Sequence, residues 1–571
     1  MRTRVSRVLA AAVLVLLVAP RALALSHPVR ATRGMVVAQD GVAARVGANA
    51  LEDGGNAVDA AVATAFALAV THPTAGNLGG GGFLLLRPAG GEPVAWDFRE
   101  TAPAGAMPTM FLGPDGRYDP TRHHGSHLSV GVPCTVAGLR AAWTGNGGKL
   151  RWRRLVEPAI ALARDGFVVS DGLARSLARV LPEMRRYPAS VAQFSKQGTP
   201  YQAGDVLKQP DLARTLERIA AQGPAGFYAS ETALLIEKEM KANGGLVTRE
   251  DLLAYRPKRR TPLRGSYRGY EVIAMPPASS GGSALLEMLN VLEGYDLGAM
   301  GAGSSAAVHR IAETMRRAFA DRARHLGDPE ANPGMPIERL ISKPYAAELR
   351  QSIRPDRATP SAPERFDWPA ESDETTQLSV VDAERNAVSL TYTLEQGYGS
   401  RIVVPGAGFL LNNEMGDFNA GPGLTSADGL IGTEPNLAAP GKRMLSSMTP
   451  TILAKDGSPF LVIGSPGGRT IVNSVLLCIL NVVDFGMNVQ EAIDFGRFHH
   501  QWLPDVIAHE RLGLSPDTLE ARRQAVLDAN RALCERIRRG EADAGPWRDR
   551  VLDCLREAVA AALAVNNPSA L

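Results

Sequence analysis

Cysteine is scarce in this chain, with four in 571 residues. Cys134 and Cys478 stand in apolar stretches, while Cys534 and Cys554 fall near the C-terminus. No CxxC pair and no Cys/His zinc spacing occurs. Cysteine therefore defines no disulfide scaffold and no metal centre. At most Cys534 and Cys554 pair, and buried free thiols are an equally good reading. An excess of one charge is also missing: 62 basic and 59 acidic residues leave a net charge of +3. No lysine or arginine block is dense enough to track a phosphate backbone, which argues against a nucleic-acid partner. The longest early apolar run, Val8 to Ala19, is shorter than the roughly 20 residues that span a bilayer, so no membrane span is expected. The Walker lysine motif, HExxH and GxSxG are all absent. His123, His124 and His127, and likewise His499 and His500, lack a carboxylate or cysteine at ligand spacing. They read as surface or structural histidines, and a metal site is not expected.

What is present is a globular composition, 45% hydrophobic and 21% charged, with 58 glycines and 39 prolines. The length exceeds what one simple core usually manages, so two domains or one large layered α/β unit is expected. The opening MRTRVSRVLAAAVLVLLVAPRALAL has a basic start, an apolar run and Ala22-Leu23-Ala24, the layout of a secretory signal cut after Ala24. An exported protein, periplasmic or secreted, is expected.

Along the chain, MVVAQD (35–40) reads as a strand, and AVDAAVATAFALAV (57–70), apolar on nearly all sides, as a buried helix. GNLGGGGF precedes a strand instead of following one and opening a helix, the wrong order for a dinucleotide fingerprint. It reads as a tight loop that lets backbones approach closely. PVAWDFRE (93–100) is a second strand ending near Arg99, and residues 135–350 are mainly helical. Residues 354–374, rich in Pro, Asp, Glu and Arg, read as a mobile linker. TTQLSVVD, NAVSLTYTL and GAGFLLNNEM follow as consecutive strand candidates. PFLVIGSPGGRTIVNSVLLCIL reads as strand, glycine turn and buried helix.

Thr375 stands where the loose segment meets the strand. A hydroxyl is a poor nucleophile until a base takes its proton. Cutting the preceding peptide bond would place a free α-amine, with a pKa of about 8, beside its own hydroxyl as that base. GSPGG (464–468) offers a turn rich in backbone N–H groups for an oxyanion. Taken alone, a threonine at a strand edge is structural far more often than catalytic.

The wider set of motifs changes that weighting. NAVDAAVATAFAL, TAGNLGGGGF, DFRETAP, VGVPCTVAGL, PPASSGG, AFADRARHLGDP, TTQLSVVD, NAVSLTYTL, LLNNEMGDF, LSSMTPTI, GSPGGRTI and RFHHQWLPD occur in order between about residues 35 and 516. In these stretches the chain resembles the γ-glutamyltransferase family of N-terminal nucleophile hydrolases, which cut themselves into two subunits. The resemblance implies a four-layer αββα sandwich, where composition supports only a large α/β protein. It implies cleavage between Glu374 and Thr375, giving a large subunit (25–374) and a small subunit (375–571).

Thr375 matches the family nucleophile and Thr393 the residue that orients it, while Gly467 and Gly468 match the oxyanion glycines. Arg99, Ser446 and Ser447 match the groups that hold the substrate α-carboxylate. Glu414 and Asp417 match the acidic pair that receives the α-ammonium, and Glu395 another position at that end. The implied reaction cleaves the γ-glutamyl amide of glutathione and related compounds. The acyl group passes to water, amino acids or peptides, and neither metal nor organic cofactor is called for.

The chain departs from the family pattern in three places. Asp428 stands where a lid tyrosine often sits, Cys134 replaces a glycine, and a helix-like tail (517–571) replaces the usual final strands. Two rivals remain at this point: an acylase for glutaryl side chains of β-lactams, and a non-catalytic exported γ-glutamyl-binding paralogue. A glutaryl group has no ammonium, so Glu395, Glu414 and Asp417 argue against the acylase.

Overall fold

The computed structural model describes residues 27–361, 375–424, 432–511 and 513–520. The proposed signal, Glu374, Asp428, Cys534, Cys554 and the tail beyond residue 520 lie outside the described residues.

Two antiparallel sheets form the centre. The first contains β1 (Met35–Ala38), β2 (Gly81–Arg87), β3 (Val94–Phe98), β4 (Lys258–Arg260), β7 (Thr376–Val381) and β8 (Ala387–Thr393). The second contains β5 (Leu263–Tyr267), β6 (Tyr270–Ala274), β9 (Thr451–Lys455) and β10 (Ser458–Ile463). Their strand orders are β1-β7-β8-β2-β3-β4 and β10-β9-β6-β5.

The run FLLL in β2 is apolar at every position because both faces are covered. Leu84 and Leu86 join a core with helix α1 (Ala57–Thr71), whereas Phe83 and Leu85 join the other core with β6, β9 and helices α2 (Gly281–Leu292), α3 (Ser305–His325) and α4 (Thr470–Val483). The layers therefore run helix, sheet, sheet, helix, the αββα order implied by the resemblance. Helix α1 is buried along its whole length, so its sequence shows no polar face. An Asn56–Asp59 capping box sets its start, and Ala57 N–H donates to Asp382 at 2.9 Å.

The glycine loop behaves as a close-approach element. A Cβ on Gly80 would fall 2.1 Å from the carbonyl oxygen of Thr393. The strand begins at Gly81, earlier than the expected Phe83.

Two other expectations are revised. GAGFLLNNEM forms only isolated bridges, Val403 with Leu410 and Leu411 with Gly79, and then a 3₁₀ turn over Glu414–Asp417. Residues 354–361 are tethered at several points, with His309 bonded to the Arg354 carbonyl at 2.7 Å, Thr359 to Glu313, and Ser361 N–H to Asp505 at 2.8 Å. Residues 362–374 lie outside the described residues. Cys134 and Cys478 are buried free thiols.

Candidate active site

Strand register explains where the site forms. In the first sheet Thr393 pairs with Gly81, Gly82 with Phe98, and Tyr392 with Thr376. The start of β7, the end of β8 and the end of β3 thus coincide, which places Thr375, Thr393 and Arg99 at one edge. In the second sheet Thr451 pairs with both Ile463 and Ala274. Ser446 and Ser447 before β9, the 464–468 turn after β10, and the 276–280 segment after β6 therefore share one end. These two ends face a common cavity, whose lining includes Arg99, Thr375, Thr393, Glu395, Asp417 and Ser447. Ser446, Gly468, Met448 and Ile471 complete the wall. Glu414 and Gly467 are not part of it, and Glu414 pairs with the lining Arg99.

Thr375 is buried, and its hydroxyl donates to Thr393 Oγ1 at 3.4 Å. Thr393 Oγ1 also accepts from the Glu395 backbone N–H at 3.0 Å. Asn77 grips the Thr393 carbonyl at 2.8 Å and accepts from Gly80 N–H and Thr135 Oγ1, tying the end of β8 to the glycine loop. Glu395 adopts a left-handed backbone (φ 81), an uncommon conformation for this residue type and of the kind that marks constrained sites.

Arg99 is fully buried. Its guanidinium pairs with Glu414 and Asp417, lies 3.5 Å from Glu100, and donates through Nε to the Met444 carbonyl at 3.2 Å. Burial alone would pull its pKa down, but the surrounding carboxylates hold it above its ordinary value. Burial pushes the Glu100 carboxyl up to about 8, opposed by Arg99, and raises Glu414 well above the usual range. Both Glu395 oxygens are buried without a hydrogen bond among the described residues, and Glu414 has its ion pair with Arg99 but no further hydrogen bond there. The pocket therefore has more acceptors than its own cation satisfies, and a cationic ligand group would fill that deficit.

The Arg99 backbone is fixed from behind. Asp97 accepts its N–H at 3.0 Å and is itself paired with Arg260, and Tyr255 donates to the Arg99 carbonyl at 3.0 Å. Asn412 bonds Gly79 and Gly131 and accepts from Glu414 N–H, so the NNEM segment is held as a turn by side chains.

Gly467 and Gly468 have φ values of 121 and 51. The bonds of this turn run from Thr470 N–H to the Gly467 carbonyl and from Ile471 N–H to that of Gly468, at the start of α4. This leaves the two glycine N–H groups unengaged by backbone carbonyls among the described residues.

The sequence reading missed several supporting residues. His124 Nδ1 sits 3.6 Å from Glu395 Oε1, and its neighbour His123 is packed on Phe111 with its pKa held low by burial. These histidines are structural as expected, but one of them borders the site. Arg322 lies within AFADRARHLGDP, where no role was read for it, yet it donates to Ser447 and to Ser280. Among the described residues no cluster of His, Cys, Asp and Glu could hold a metal, and no helix is long and apolar enough to cross a membrane.

A buried threonine, a glycine turn and a pocket carrying Arg99 beside several carboxylates thus meet at one end of a fold of the N-terminal nucleophile hydrolase type. Comparison with known proteins agrees. The family described as Gamma-glutamyltranspeptidase matches residues 43–535, and the chain belongs to that family. A second match, to a "Domain of unknown function (DUF6285)", covers residues 504–570. The chain is 49% identical over 500 residues to the glutathione hydrolase proenzyme of Escherichia coli strain K12, covering 86% of this chain and 85% of the relative. Among solved structures, the cephalosporin acylase from Bacillus halodurans superposes with a TM-score of 0.73 at 26% identity, covering 89% of this chain and 91% of that one. The Helicobacter pylori gamma-glutamyltranspeptidase superposes at 0.57 with 45% identity, covering 58% of this chain and 95% of that one.

Proposed function

We propose that the chain is an exported precursor which breaks its Glu374–Thr375 bond and then, through Thr375, transfers γ-glutamyl groups from glutathione-like amides to water, amino acids or peptides. The observation that carries this reading is the shared wall of one cavity: Thr375 and Thr393 stand beside Arg99, Asp417 and Glu395. A γ-glutamyl group brings an α-carboxylate and an α-ammonium into a buried pocket, and each must find a partner. Arg99, Ser446 and Ser447 suit the carboxylate, and Glu395, Glu414 and Asp417 suit the ammonium.

In the reaction, Thr375 Oγ attacks the γ-carbonyl while its proton passes to the Thr375 α-amine. The N–H groups of Gly467 and Gly468 receive the charge that develops on the carbonyl oxygen. The C–N bond then breaks, the amine leaves with the proton, and an ester to Thr375 remains. Water or an amine attacks that ester, and its departing proton restores the threonine hydroxyl. Thr393, held by the Glu395 N–H, keeps the nucleophile aligned.

The acylase reading has support in the Bacillus halodurans enzyme at 26% identity and in an acylase proenzyme of Pseudomonas sp. strain SE83 at 39% over 481 residues, both below the 49% of the Escherichia coli glutathione hydrolase proenzyme. The two readings separate on one assay with γ-glutamyl and glutaryl anilides. Turnover of the first at a rate at least tenfold above the second supports the proposal, and the reverse order overturns it. Thr375→Ala should abolish both self-cleavage on a denaturing gel and turnover. A single inactive full-length band from the unaltered chain would favour a non-catalytic role.

A further inference from the structure

We propose that Arg322 is a positioning residue that presets the serine pair as hydrogen-bond donors, and so determines how tightly the pocket holds a carboxylate. This inference rests on the γ-glutamyl reading of the site and extends it to a residue outside the cavity wall.

Arg322 is 3% exposed near the C-terminal end of α3, the helix packed against the second sheet. Its Nη2 donates to Ser447 Oγ at 2.9 Å, and its Nε donates to Ser280 Oγ at 2.7 Å. Ser280 then donates twice to the Ser446 carbonyl, from its hydroxyl at 2.6 Å and from its N–H at 2.8 Å. Ser446 N–H closes the arrangement by donating to the Ala278 carbonyl at 3.0 Å. One guanidinium thus reaches both serines, Ser447 at its hydroxyl and Ser446 at its backbone carbonyl through Ser280.

The consequence follows from the single proton on a hydroxyl. Ser447 Oγ already accepts from a cationic N–H, so one of its lone pairs is taken while its O–H can donate, and the residue lines the cavity. Ser446 Oγ is in the same condition, since it accepts from Met448 N–H at 3.1 Å. Two hydroxyls that each already accept one N–H have their O–H free to donate, which suits an anion. A charged donor behind Ser447 also polarises its O–H, strengthening the bond it gives. The pocket thereby acquires a sense of direction: donors on the α3 side, acceptors at Glu395, Glu414 and Asp417.

The test is a double-mutant cycle on kcat/KM for γ-glutamyl anilide, using Arg322→Gln, Ser447→Ala and the pair. Maturation at Thr375 is checked by gel for each variant. Arg322→Gln alone should lower kcat/KM by about tenfold to a hundredfold, with most of the change in KM. In the Ser447→Ala background the same substitution should cost less than about threefold more. Additive losses in the cycle would overturn the proposal and leave Arg322 as a packing residue. Should Arg322→Gln fail to mature, Arg322→Lys replaces it in the same cycle, with a smaller loss and the same non-additivity expected. Wild-type protein that matures but ignores γ-glutamyl anilide would overturn the function itself, a result distinct from an active enzyme with additive losses.

Discussion

The two ends of the pocket are built by different physics. At the Arg99 end, charged groups are buried together: a fully buried guanidinium is ringed by Glu414, Asp417 and Glu100. At the 464–468 end the groups are small and neutral, with a glycine turn set by its backbone geometry and serine hydroxyls held by their partners. Charge recognition is strong but fragile, because removing one partner strands the others in low dielectric. Backbone recognition is weaker per contact and limited by shape, because an added methyl group has nowhere to go. The two ends should therefore fail in different ways.

The largest effect is expected at the charged end. Arg99→Gln leaves the buried Glu414 and the half-buried Asp417 without their cation, which should cost about 3–5 kcal/mol of stability and lower kcat/KM about a thousandfold. Denaturant unfolding and steady-state kinetics on γ-glutamyl anilide measure the two losses. Unchanged stability would mean that the carboxylates are not held as described.

At the neutral end, Gly467→Ala should fold but react poorly. Its φ of 121 is strained for alanine, and a Cβ there would meet Thr470 Oγ1 at 2.4 Å. A stability loss of about 1–3 kcal/mol is expected from the backbone. A fall in kcat of about a hundredfold with little change in KM is expected from the displaced donor. A loss confined to KM would contradict the division between the two ends.

How far these features can be read in the sequence differs between the ends as well. Buried β2 and α1 announce themselves as unbroken apolar runs, and Thr375 and Arg99 fall at strand boundaries that alternation and turn residues mark. The glycine loop was legible as a place of close backbone approach. NNEM was misread as strand because its turn is imposed by Asn412 and Asn413, whose side chains bond residues far away in the chain. Arg322 gave no signal, since its meaning depends on Ser280 and Ser447 arriving from two other segments. Residues 354–361 have the composition of a linker, yet Glu313 and Asp505 hold them.

The smallest effect concerns pH. The Glu100 carboxyl is raised to about 8 in the folded protein, from an ordinary value near 4.5. Between those values the folded state holds a proton that the unfolded chain has released, so stability falls as pH rises from about 4.5 through 8. Below the lower value both states are protonated and this contribution is flat. Glu100→Gln should make the decline of Tm between pH 5 and 9 shallower without removing it, because Glu414 is raised in the same way. A decline of unchanged slope in the variant would show that Glu100 is ionised in the folded state and paired with Arg99.

The central claim is that Thr375 becomes an N-terminus and carries the acyl group. Intact-mass measurement of the purified protein, before and after brief exposure to a slowly hydrolysed γ-glutamyl donor, tests it most directly. The account predicts two chains, the smaller beginning at Thr375 and gaining the mass of one γ-glutamyl group on that residue. A single uncut chain, or a label on any other residue, would contradict it.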